Sequence, residues 1–181
     1  KSYLGMNTQN FFNKTNKNKR KIFFLSCGSL IDVKDPLSII ELVTNFAKQN
    51  KKIEVNYTCI GNGHLQKKVK DKLNEESNLI NYKYIERIPN LFTYLKKNQV
   101  DYFINLSHSE GIAFTNMEVM SCGIPVVCNN IPGNIELINN RNGIVFNKIN
   151  DTNYSLINNL IFNNHIDEQA KQRKRKEAFL T

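Results

Sequence analysis

Residues 21–60 read KIFFLSCGSLIDVKDPLSIIELVTNFAKQNKKIEVNYTCI. Two apolar runs, Lys21–Cys27 and residues 55–60, flank a segment in which Leu37, Ile40, Val43 and Ala47 recur at helical spacing. An apolar run without polar alternation suits a strand buried on both faces, and Gly28 ends the first one. Asp35 is placed to cap the helix, and Pro36 suits its first position, where the N–H that proline lacks would have no partner anyway. Strand, helix, strand at this spacing is a crossover unit, so the two strands should run parallel.

The alternation continues in both type and length. Gly61-Asn62-Gly63 reads as a turn, residues 65–73 as a basic amphipathic helix and residues 80–85 as a third strand. Residues 89–97 read as a short helix, 102–106 as a strand, 115–122 as a helix stopped by Gly123, and 125–128 as a strand. A short helix over 134–138 and a strand over 143–146 follow, and residues 151–162 and 167–180 look helical. Six strands separated by helices predict an α/β domain with a doubly wound, Rossmann-like parallel sheet. Ligands of such sheets bind beyond the carboxyl ends of the strands, so the informative residues lie in the strand-to-helix loops.

Composition sets the bounds. At 181 residues and 40% hydrophobic, the chain has material for one packed domain. Its 25 basic against 16 acidic residues give +9, which brings polyanions into consideration. Lys1, Lys14, Lys17, Lys19, Arg20 and Lys21 all precede the first acidic residue, Asp32, so the excess gathers in an Asn- and Lys-rich stretch that reads as a linker over residues 1–20, with the domain over 21–181. The missing initiator Met suggests a piece of a longer protein. Cys27, Cys59, Cys122 and Cys128 form no CxxC pair and are expected to be reduced thiols that pack as small hydrophobes. No apolar run reaches the roughly 18 residues of a membrane span. The basic run over residues 171–176 reads as the solvated face of a terminal helix.

Among the loops, SHSEGIAFTNME (residues 107–118) carries the most chemistry. Gly111 lets the backbone approach a ligand beside Glu110, and the amides of Phe114, Thr115 and Asn116 would open the following helix. A helix start offers unpaired N–H groups that favour a phosphate. Glu110 and Glu118 then flank the anion, and because a carboxylate accepts two hydroxyls, Glu118 suits a ribose and Glu110 a sugar. A plainer account also exists: Thr115-x-x-Glu118 is a capping box, as are Ser38-x-x-Glu41 and Ser107-x-x-Glu110. Lys34 can reach the same anion or be a solvated lysine. Gly61-Asn62-Gly63 is a weak phosphate-loop signal, because Gln66 stands where GxGxxG needs glycine. His64 and His108 have no Cys or His at ligand spacing, which argues against a metal, while His108 beside Glu110 is a candidate ligand contact.

At these residues the sequence resembles the nucleotide-sugar-binding, C-terminal domain of bacterial retaining GT-B glycosyltransferases of group one, family four. The strongest part is residues 107–136, SHSEGIAFTNMEVMSCGIPVVCNNIPGNIE, with its Glu-Gly, the second Glu eight positions on, and Gly-x-Pro-Val-Val. Leu4-Gly5-Met6-Asn7 through Phe11 is similar to the segment that crosses from the N-terminal domain; Gly28-Ser29-Leu30 with Lys34, Gly61-Asn62-Gly63 and Asn142-Gly143 match further signatures in order. The sequence departs from the pattern at Ser29, where Arg is usual, at Ala113 and Phe114, and at Leu106, where Pro is frequent.

The resemblance implies a donor site for a UDP- or GDP-sugar. In it Lys34 and the amides around Phe114 to Asn116 hold the diphosphate and Glu118 the ribose, with Gly28 and Ser29 among the donor-binding residues. Backbone near Arg87 and Ile88 meets the base, Glu110 with Gly111 faces the donor sugar, and His108 and Ala113 are further donor-binding residues. It implies no cofactor and no metal, a glycan or lipid-linked acceptor reached through an absent N-terminal domain, and work at the inner face of the cytoplasmic membrane with possible peripheral association. Capsule or lipopolysaccharide synthesis is the expected setting, and the isolated domain is expected to be inactive. Two competing readings are a nucleotide-sugar epimerase of the same architecture and a nonenzymatic nucleic-acid-binding domain.

Overall fold

The computed structural model describes residues 13, 17–111, 113–147 and 153–180. Residues 4–7 and Phe11, which carry part of the resemblance, lie outside them. Strands β1 (Lys21–Cys27), β2 (Glu54–Ile60), β3 (Asn81–Ile85), β4 (Tyr102–Asn105), β5 (Val126–Asn129) and β6 (Gly143–Phe146) form one sheet in the order β3-β2-β1-β4-β5-β6. Every neighbouring pair is parallel. This is the expected doubly wound Rossmann-like sheet, and its topological switch falls between β1 and β4, where the winding direction reverses.

Side-chain alternation along the strands feeds two cores. Ile22, Phe24, Val55, Tyr57, Tyr102 and Ile104 pack against α1 (Pro36–Gln49), α2 (Gln66–Glu75) and α6 (Asn153–Ile166). Leu25, Phe103, Val126 and Cys128 pack against α3 (Leu91–Lys97), α4 (Phe114–Met120) and α7 (Glu168–Leu180). Asp35 caps α1, accepting from the Ser38 amide at 3.3 Å, with Pro36 in the first turn. The cap holds a left-handed φ of 46°, which costs a non-glycine residue roughly 1–2 kcal/mol. Helix α5 runs over Pro132–Ile135 rather than 134–138, because Pro132 has the φ of a first helical residue and starts the turn early. The four cysteines are free thiols, three of them buried.

The basic run on α7 is not a solvated face. Lys171 is 3% exposed and ion-paired with Asp101 at 2.8 Å. Lys174 donates to the carbonyls of Asn140 and, at 2.9 Å, Gly143. Arg175 donates to the carbonyls of Val100 at 3.1 Å and Asn13 at 2.7 Å. Only Gln172, Arg173 and Lys176 of residues 171–176 face solvent. Part of the basic excess therefore fastens a helix to the sheet. Asn13, within the stretch read as linker, is buried: its side chain bonds Leu95, Asn98 and Val100, and its amide bonds Cys122.

His165 lies beside this cluster, buried, and burial pushes its imidazole pKa below the ordinary value, outweighing the attraction of Asp101. The unfolded chain then takes up a proton near pH 6.5 while the folded chain does not. Stability is thus full above that pH and falls as pH drops toward the lower folded value. Urea unfolding should show a loss between pH 7.5 and 5.5 that is smaller in His165→Met; an equal loss in both would remove His165 as its source.

Candidate functional site

The carboxyl ends of β1 and β4 enclose a cavity lined by Cys27, Gly28, Ser29, Lys34, Asn105, Ser107, Glu110 and Thr115. The β1 loop turns over a single 3-10 turn, Asp32–Lys34, which sends Lys34 across the switch to an ion pair with Glu110 Oε1. A second link runs beside it: the His108 amide donates to Val33 O at 2.8 Å, and His108 Nε2 lies 3.2 Å from Asp35 Oδ2. The loops after β1 and β4 are therefore joined by both backbone and charge.

Glu110 is held from beneath. Ser107 Oγ lies 2.7 Å from Glu110 Oε1 and 2.7 Å from Asn105 Oδ1. Burial raises the affinity of Glu110 for a proton, but the hydrogen bonds from Lys34 and Ser107, with the Lys34 charge, outweigh it and hold the carboxyl below the usual range. Glu118 is the opposite case. Half-buried in the first turns of α4 and close enough to raise the Cys27 thiol, it has its pKa pushed up by burial alone. The Cys27 thiol itself is pushed up to about 11, mainly by burial.

The capping-box account of Glu118 fails. The N-cap of α4 is Ala113, extended, with no side-chain cap bond, so Thr115 already sits inside the helix. The Glu118 carboxylate therefore takes no part in a cap bond. The Asn116 amide does not point to a ligand: it donates to Ala113 O at 2.9 Å. The Asn116 side chain is fully buried and bonds Asn105 and Asn134. Among the described residues, no acceptor pairs with the amides of Phe114 and Thr115.

Gly111 and Phe114 are exposed, and Ala113 is buried. Arg87 and Ile88 follow edge strand β3 and do not line the cavity. The structure thus brings together Gly28, Ser29, Lys34, Glu110 and Thr115 around the cavity, leaves Glu118 out of its lining but near enough to act on the Cys27 thiol, and turns His108 toward Asp35.

The Gly61-Asn62-Gly63 turn is a buttress, not a phosphate loop. A Cβ on Gly61, whose φ is 153°, would stand 1.9 Å from Gly28 O. The Leu30 amide donates to Asn62 O at 2.7 Å and the Leu65 amide to Leu30 O at 3.0 Å. Gly133 does the same for the other loop, since a Cβ there would lie 1.7 Å from Gly111 O. Sequence reading passed over Asn105, Asn129 and Asn134. The available signal was an Asn ending each of the apolar strands β4 and β5. Among the described residues, no group of three His, Cys, Asp or Glu could hold a metal ion.

Comparison with known proteins places the chain in a family and supports its fold. The family model described as glycosyl transferases group 1 matches residues 7–178. No curated protein gives a match. A mutant of S. aureus TarM, solved in complex with Fondaparinux, alpha-GlcNAc-glycerol and UDP, superposes with a TM-score of 0.77 at 14% identity, covering 99% of this chain and 34% of that one. Anabaena HepE in complex with UDP-glucose gives 0.68 at 19% identity, covering 88% and 43%. The C-terminal domain of LpcC, a glycosyl transferase group 1 family protein from Francisella tularensis, gives 0.72 at 14% identity, covering 97% and 95%. The chain spans about a third of the length of TarM. At these identities the likeness is one of fold, the Rossmann-like fold of GT-B glycosyltransferases.

Proposed function

The chain belongs to the group 1 glycosyl transferases, and from that premise we propose that the cavity between β1 and β4 is the donor site of a retaining enzyme of which this is the C-terminal half. It takes a nucleotide-diphosphate sugar, and the whole enzyme passes the sugar to an envelope-glycan or lipid-linked acceptor. The observation that carries this reading is the Lys34–Glu110 pair at the switch point: one cation and one carboxylate, presented together where a Rossmann-like sheet receives its ligand.

The roles follow from charge. An ammonium has three donors, so Lys34 can keep Glu110 while it binds a phosphate oxygen. As the bond from the anomeric carbon to the diphosphate breaks, negative charge grows on the leaving group, and Lys34 with the Phe114 and Thr115 amides stabilises it without reorganising. Glu110, whose second oxygen is not taken by Lys34 or Ser107, orients the sugar hydroxyls. Glu118, burdened by burial and free of a capping role, gains when ribose hydroxyls hydrogen-bond to its ionised form. No metal is assigned to the site. The setting we assign is bacterial, at the inner face of the cytoplasmic membrane.

A thermal-shift screen of UDP-, GDP- and ADP-sugars should raise the melting temperature with one nucleotide class. Glu118→Ala should then weaken that ligand by about 1.5–3 kcal/mol in calorimetry, the range for a hydrogen bond to a charged group. A folded variant with unchanged affinity would sink the ribose role, and no shift with any nucleotide sugar would sink the donor site.

A further inference from the structure

Beneath Glu110 lies a chain of buried amides that the donor-site reading does not use. Asn105 Nδ2 donates to Asn116 Oδ1 at 3.1 Å, and Asn116 Nδ2 to Asn134 Oδ1 at 3.0 Å. Asn134 Nδ2 donates to Asn129 O at 3.1 Å, and Asn129 Nδ2 to Leu106 O at 2.8 Å. All four side chains are at least nine-tenths buried. The chain ties the ends of β4 and β5 to the first turns of α4 and α5, the elements around the Glu110 loop. Its upper end is Ser107, whose amide donates to Asn105 Oδ1 at 3.1 Å.

The hydroxyl of Ser107 has one proton and two acceptors, Glu110 Oε1 and Asn105 Oδ1, each 2.7 Å away. Asn105 Oδ1 has two lone pairs and accepts the Ser107 amide with one while facing the Ser107 hydroxyl with the other, and the Asn105 amide orientation is fixed by that N–H on one side and by Asn116 on the other. Of the two acceptors before the hydroxyl, the charged Glu110 oxygen forms the stronger hydrogen bond. The Asn chain pins Ser107, and Ser107 pins one oxygen of Glu110.

We propose that Asn105, locked by Asn116 and Asn134, is a positioning residue that aims the second Glu110 oxygen at the donor sugar, and so sets how much the sugar adds to the affinity of the nucleotide diphosphate. This rests on the donor-site reading. The consequence is separable from simple folding, because the nucleotide diphosphate is held by other groups, Lys34 and Glu118.

The test is calorimetry of the chain with UDP-, GDP- and ADP-glucose, each beside its own nucleoside diphosphate. For the pair that binds, Asn105→Leu is expected to lower the ratio of sugar-nucleotide to diphosphate affinity about tenfold, with diphosphate affinity within about twofold of wild type. Asn105→Asp keeps the acceptor for Ser107, loses the donor to Asn116, and is expected to fall between, which serves if the Leu variant does not fold. On a Glu110→Gln background the same substitutions should leave the ratio unchanged. An unchanged ratio in a folded Asn105 variant, an equal loss for both ligands, or the same drop on the Glu110→Gln background would overturn the proposal. If the wild type binds the diphosphate but the added glucose contributes nothing, the proposal fails while the nucleotide site stands; if it binds none of the six, the donor-site reading fails and takes this one with it.

Discussion

Lys34→Ala is expected to weaken nucleotide-sugar binding by about 3–4 kcal/mol, a factor of a few hundred, and to do more damage than any other single change in the cavity. Two losses combine. The diphosphate loses its charge-assisted donor, and Glu110 loses the ion pair that neutralises it, so a bare carboxylate then faces a bare anion. Ser29 cannot compensate, since a hydroxyl carries no charge and no other cation lines the cavity among the described residues. Lys34→Arg should recover part of the affinity. Calorimetry against the ligand found by thermal shift measures the effect, and a loss under tenfold would mean that the anion is held elsewhere.

The second large effect is on stability. Lys171→Met should cost about 3–5 kcal/mol in urea unfolding at neutral pH, because it removes the ion pair that Lys171 makes at 2.8 Å with Asp101, whose side chain is fully buried. Asp101 also accepts from the Phe23 amide at 3.0 Å, so it cannot simply turn away. Adding Asp101→Asn should restore most of the stability, since the amide oxygen keeps the Phe23 bond and the buried carboxylate that lost Lys171 is removed. A cost below about 1 kcal/mol for the single variant would show that α7 is not fastened through this pair.

The frame of the fold was legible because it depends on local pattern. Strand β1 was read at its observed bounds, Lys21–Cys27, from an apolar run and a glycine, and α1 from Asp35 and Pro36. Helix α4 starts at Phe114, one residue before Thr115, because its N-cap is Ala113, an extended residue with no capping side chain and so no mark in the sequence. The basic run was misread for a related reason: Lys174 and Arg175 pair with backbone carbonyls of Asn140, Gly143, Val100 and Asn13, and a carbonyl leaves no mark in a sequence. Glu110, Glu118 and Lys34 stood out as charges in loops of a predicted parallel sheet. Asn105 and Asn134 did not, because in a chain rich in asparagine two more attract no notice, although an amide closing an apolar strand needs a partner.

Asn13 also determines how the domain bears load. Its amide holds the Cys122 carbonyl just past the end of α4, its side chain holds the segment between α3 and β4, and its carbonyl is gripped by Arg175 of α7. Tension applied to the chain before it does not peel one bond at a time. It loads the cluster as a unit, just past the C-terminal end of α4, the helix that carries Glu118.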